Sequence, residues 1–311
     1  MKAMTAIITM LAAFPSLAKS AAPAPSPEFL KYWKSGLAEL SSYATVTERY
    51  GEKREGQAVL IFVYEEMSAD TRIKVESGRT PSDQRIPVLK LNNVLKFTTG
   101  IYDYSVMTSV FAGLSGPGVG RFLEPRKISF SSQEWCGNVY HQLIPEEKAL
   151  VSEIHSYFEK EGDAKATLPY PSEKVYYEDE IPILIRELDG DILKAGGKLE
   201  FDMVPSLWET RKRHIPLKFE KAILMKGKPS GFKSRLGDMP ATSWTLQSGG
   251  TVTTYRVQTD PPRRLLAWEN NRGEKAEILG SLRKTYWELN GNEHRPLRKE
   301  LKLDYGAGPE H

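Results

Sequence analysis

The sequence predicts a mainly β protein: one large, curved antiparallel sheet, arranged as a sandwich or an open half-barrel, with a few short helices. Three observations predict it. Segments such as REGQAVLIFVYEE (54–66), IPVLKLNNVLKF (86–97) and TVTTYRV (251–257) are rich in β-branched and aromatic residues. The clusters GKPSG, SGG, DPP and NNRG punctuate the last third as turns do. Amphipathic helical stretches are scarce, so the strands must be covered chiefly by one another.

The N-terminus comes first in chain order. Lys2 precedes an apolar run, Ala3 to Leu17, that ends in Ser16-Leu17-Ala18, the pattern of a secretory signal peptide cleaved after Ala18. Roughly 15 apolar residues interrupted by Pro15 fall short of the roughly 20 that span a bilayer. No later stretch is long enough either, so no transmembrane segment is expected in the mature chain. We divide the chain into a signal peptide (1–18), a Pro/Ala-rich spacer (19–27), a single β-rich domain (28–306) and a tail (307–311).

Ser26 and Pro27 read as the N-cap and first position of a short helix that carries Phe29, Leu30 and Trp33 inward. Residues 54–66 are apolar on both faces, as a central strand would be. Residues 86–111 read as two strands about Gly100. GLSGPGVGR (113–121) is glycine-rich, but Pro125 and the strand-like RKISF follow it where a phosphate loop needs a helix, so we read a hairpin connection. Residues 145–160 fit both periods and are assigned to strand, and DEIPILIREL (179–188) opens a helix kept short by Pro182. LEFDMV, IPLKFEKAIL, SWTLQ, TVTTYRV, RRLLAWEN and KAEILGSLRKTYWELN then form an antiparallel meander.

Charge and metal-ligand patterns exclude several functions. A net charge of +3 over 311 residues gives no case for nucleic acid, and the basic run Arg211-Lys212-Arg213-His214 reads as a solvated turn. His141, His155, His214, His294 and His311 are scattered without ligand spacing, so neither a metal nor a cofactor is expected. Tyr176-Tyr177-Glu178-Asp179-Glu180 reads as a calcium-binding or general-acid patch, but it lacks alternate-position ligand spacing, and a helix N-terminus enriched in acids explains it as well. A single cysteine forms no internal disulfide, and a chain of this size does without one.

The candidate functional block is SSQEWCGNVYHQ (131–142), above all Gln133, Glu134, Trp135, Cys136 and Gly137. In one straight strand Cys136 and His141, five apart, face opposite ways. A bulge at Gly137 would bring them to one face, with Glu134 orienting the imidazole, and only then would Cys136, His141 and Glu134 form a catalytic set. We expect instead a buried structural cysteine with Trp135 packed in the core.

REGQAVLIFVYEE, VLKLN, TGIYDYSVMTS and SSQEWCGNVYHQ, with KYWKSGLAEL before them, resemble a group of uncharacterised exported bacterial proteins, some of which carry the label "septum formation inhibitor Maf". The resemblance covers much of the region from Lys31 to about Leu224 and implies export. Maf-type enzymes are cytoplasmic nucleotide pyrophosphatases with a Ser-rich, double-arginine motif on an α/β scaffold. This chain shows nothing comparable, so no catalytic residue carries over.

The expectation is therefore an exported periplasmic or cell-envelope protein that binds an apolar or amphipathic envelope ligand on the concave side of its sheet, without catalysis. The alternatives are a cysteine-dependent hydrolase or acyltransferase centred on Cys136, and a structural envelope partner.

Overall fold

A computed structural model describes residues 24–76 and 78–303. The expected signal peptide, its cleavage site, most of the spacer and the 307–311 tail lie outside the described residues. The first eight strands are β1 (Ala38–Arg49), β2 (Glu52–Ser68), β3 (Arg85–Thr99), β4 (Tyr102–Gly113), β5 (Glu124–Glu134), β6 (Gly137–Pro145), β7 (Ala149–Ser156) and β8 (Ala164–Pro169). The last seven are β9 (Val175–Tyr177), β10 (Lys198–Val204), β11 (Glu220–Ser234), β12 (Gly237–Ser248), β13 (Thr251–Gln258), β14 (Leu265–Asn270) and β15 (Lys275–Lys284). All fifteen join in one open sheet, ordered β8-β7-β6-β5-β4-β3-β2-β1-β15-β14-β13-β12-β11-β10-β9.

Two up-and-down meanders thus meet where β1 pairs with β15, and only the β9–β10 pairing is parallel. The sheet does not close, because its edge strands β8 and β9 share no ladder. They are linked by a short loop, and the hydroxyl of Tyr170, next after β8, lies 3.0 Å from that of Tyr177 at the end of β9. One apolar core drawing on both meanders fills the concave side, as the curvature requires. The predicted class is observed in its half-barrel form.

Strand β2 shows why its sequence is apolar on both faces. Ala58, Leu60 and Phe62 point into the concave core, while Ile61 and Val63 meet Ala38, Leu40 and Leu301 on the outer side. The outer cover is the C-terminal segment containing α4 (Leu297–Glu300). Gly280 permits its approach, since a Cβ there would lie 2.6 Å from the Glu300 carbonyl oxygen.

Short helical segments plug the concave side: α1 (Pro27–Trp33), a 3-10 turn (Glu178–Glu180) running into α2 (Ile181–Leu184), and α3 (Leu207–Arg213). Ser26 caps α1 as predicted, its hydroxyl accepting the Phe29 N–H at 3.1 Å. Arg186, fully buried after α2, pairs with Glu39 of β1 at 2.8 Å and stacks over Phe62 and Trp33. It also donates to the carbonyls of Arg263 and Pro262. This buried pair fastens the plug to the barrel wall.

Three expectations are corrected. GKPSG is no turn but lies within β11, where a register shift between Lys226 and Pro229 takes up the proline, and the chain reverses at Arg235-Leu236 instead. The strand expected through TYWELN ends at Lys284, and Tyr286–Glu288 is a 3-10 turn. The basic run at 211–214 closes α3: Arg211 and Lys212 are buried and His214 is its left-handed cap. Their burial is tolerable because Glu161 pairs with Arg211 while Glu209 and Glu274 pair with Lys212.

Candidate functional site

The cysteine block forms a hairpin rather than one strand. Strand β5 ends at Glu134, β6 begins at Gly137, and Trp135 and Cys136 are the tip. Cys136 is exposed, and Trp135 is 71% exposed beside Tyr102, which corrects the expected buried pair. A two-residue tip has no interior in which to bury them. The ladder from Glu134↔Gly137 to Ile128↔Leu143 is regular, so there is no bulge at Gly137, where a Cβ would instead meet the Tyr157 ring at 2.7 Å. Gln133 is exposed on β5 opposite Asn138.

The catalytic set does not assemble. His141 stands four residues up β6 from Gly137, roughly 13 Å along the strand. Its ring faces the concave side, with Nε2 2.7 Å from the Ser152 hydroxyl. Burial pushes this imidazole down to about 4, so it is neutral. The Glu134 carboxylate takes the Cys136 N–H at 2.6 Å, and its hydrogen bond to the thiol, with its charge, pushes that thiol up rather than activating it.

The concave side does hold a cavity, of about 180 Å³, between the sheet and the plug. Leu60, Leu91, Leu95, Val110, Leu265 and Trp268 form its apolar side. Facing them, Glu178 and Asp179 come from the turn before α2, Glu209 from α3 and Glu274 from the edge of β15. A narrower cavity of about 60 Å³ shares Glu178, Glu209, Thr253 and Asn270 with it and continues toward Gly249 and Arg272 at the β12–β13 and β14–β15 turns. Three larger clefts lie elsewhere, one of them, of about 600 Å³, along Glu173, Asp202 and Lys221 at the β9–β10 edge. One of about 690 Å³ runs under the β11–β12 hairpin tip, against the outward-facing Arg256, Glu269 and Glu277. One of about 990 Å³ lies between the sheet edges among Arg126, Glu146, Lys148 and Glu173.

Local folding positions the carboxylates. Glu178 accepts the backbone N–H of Ser206 at 2.9 Å and Asp179 that of Leu207 at 3.1 Å, so these two residues, distant in sequence, cap the start of α3. What accessibility they keep is to the cavity they line. Burial pushes Glu178 up to about 7, with Glu209 and Asp179 adding repulsion, and pushes Asp179 up to about 6. Burial would raise Glu274 too, but Lys212, the Glu48 N–H and Asn270 outweigh it and hold that carboxyl at about 2. Lys212 bridges Glu209 and Glu274 at 2.5 Å each. Among the described residues no cationic side chain pairs with Glu178 or Asp179.

Sequence reasoning weighed Glu178 and Asp179 as a calcium-binding or general-acid patch against acids at a helix start, placed Lys212 in a solvated basic turn, and passed over Glu209 and Glu274. A charged residue next to apolar strand residues was the one available signal, and it does not say which segments converge. No protein-family model, curated protein or solved structure matches this chain.

Proposed function

We propose that this is an exported cell-envelope protein that holds a small amphipathic ligand in its concave cavity and performs no reaction on it. The observation that carries the reading is the two-sided lining: aliphatic side chains from β2, β3, β4 and β14 on one wall, carboxylates on the other, reached from the barrel end. Such a lining grips an apolar body and orients a polar head. At about 180 Å³ the space is below the roughly 300 Å³ of a drug-sized pocket, because α1, α2 and α3 occupy much of the concavity. The ligand is therefore a small molecule or a single chain rather than a whole lipid.

Export rests on residues 2–18 and on the resemblance stated above. The test is native mass spectrometry of protein purified without detergent, followed by organic extraction. We expect a bound small molecule or uptake of a hydrophobic fluorophore. A ligand-free mass with no extractable compound and no uptake refutes the reading.

A further inference from the structure

We propose that the ligand's polar head is a protonated amine, so that the cavity is a site for small alkylammonium compounds. The inference rests on the ligand-holding reading above and adds the chemical class. The first observation is charge. Four carboxylates, Glu178, Asp179, Glu209 and Glu274, line the cavity, and the ion pairs made there engage only Glu209 and Glu274, chiefly through Lys212. Glu178 and Asp179 hold backbone N–H groups of α3 but no cation among the described residues.

The second observation is independent of the acids and lies on the strands β1 and β3. Thr45 of β1 is 7% exposed, lines the cavity, and its Oγ1 makes no hydrogen bond among the described residues. Asn93 Oδ1 of β3, also in the lining, is likewise without a partner. Buried oxygens are left unpaired at a cost, and two that line one cavity are explained when the partner is brought by a ligand. An oxygen acceptor and two carboxylates all call for hydrogen-bond donors. An ammonium supplies three donors and a positive charge on one small atom, whereas a hydroxyl supplies one donor and a carboxylate none.

No group of three or more His, Cys, Asp and Glu among the described residues is arranged to hold a metal ion, which favours an organic cation over a bare one. The aliphatic wall formed by Leu60, Leu91 and Val110 suits the alkyl part, and Trp208 and Trp268 place indole rings in the same lining.

Isothermal titration of the purified protein with hexylamine, hexanol and hexanoate at pH 8 tests this, because the three share one chain and differ in the head. Expected is binding of hexylamine at least about tenfold tighter than hexanol, the size of a charge-assisted hydrogen bond, and no binding of hexanoate. In the Glu178→Gln/Asp179→Asn double variant the amine-over-alcohol ratio should fall to near one. Thr45→Val, nearly isosteric, should weaken hexylamine about threefold to tenfold, and it keeps the test available should the double variant not fold. Equal binding of hexanol and hexylamine overturns the amine inference and leaves the ligand-holding reading standing. Absence of binding by all three overturns both, and an amine preference that survives in both variants overturns the assignment of the head to these residues.

Discussion

Replacing Glu178 by glutamine should stabilise the protein at high pH and leave it unchanged at low pH. Glutamine keeps an oxygen to accept the Ser206 N–H and removes only the titration. Burial raises the Glu178 carboxyl from 4.5 to about 7 in the fold. A carboxyl with a raised folded-state pKa contributes its stabilisation in full below its unfolded value and loses it as pH rises through the folded one. Above pH 7 the folded protein therefore carries a charge that costs about 3 kcal/mol relative to the unfolded chain, at about 1.4 kcal/mol per tenfold. This is an upper figure, because the carboxyl faces a cavity that water can share. The stability gain of Glu178→Gln over wild type should be near zero at pH 4 and grow to about 2–3 kcal/mol at pH 8, a rise of roughly 4–10 °C in Tm for a domain of this size. Comparing variant with wild type at each pH cancels the titrations of His141 and Glu274, which run the other way. Thermal melts by circular dichroism between pH 4 and pH 8 measure it. A difference in Tm that is constant with pH would show that Glu178 is not desolvated in the fold and would refute the reasoning.

Asp179→Asn should behave in the same way with its transition centred about one pH unit lower, and the double variant should gain less than the sum, because the two acids repel each other. Glu39→Ala, by leaving Arg186 buried without its carboxylate, should cost about 3–5 kcal/mol in denaturant titration, and a loss below about 1 kcal/mol would mean that the pair does not fasten the plug. Cys136 should react with a thiol reagent in the native state without denaturation, faster in Glu134→Gln than in wild type at pH 7, and Cys136→Ser should leave Tm unchanged. Gly280→Val should push the C-terminal segment off β15 and make the chain cleavable by trypsin between Arg283 and Lys302, whereas wild type resists. Intact mass of envelope-derived protein should match a chain beginning at Lys19.

The sequence by itself determined the class of fold and most elements, because those signals are local. β-branched and aromatic runs mark strands wherever they occur, Ser26-Pro27 specifies a helix start, and Gly100 specifies a turn by its freedom to take φ +56°. Doubly apolar β2 announced that both faces would be covered, without saying that Leu301 would cover one of them. The tip of the cysteine hairpin was not legible, since Trp135-Cys136 is neither a glycine nor a proline turn, and a strand carried two residues past Glu134 takes in side chains that in fact stand in solvent. Only tertiary structure decided the cavity. Its acids come from residues 178, 179, 209 and 274 and its unpaired hydroxyl from residue 45, and they converge because α3 is capped by a turn nearly thirty residues earlier and packed against β1 and β15. Ionisation there depends on desolvation and on distances between remote segments, which arise from the curving of the open sheet around its plug rather than from neighbours in the chain.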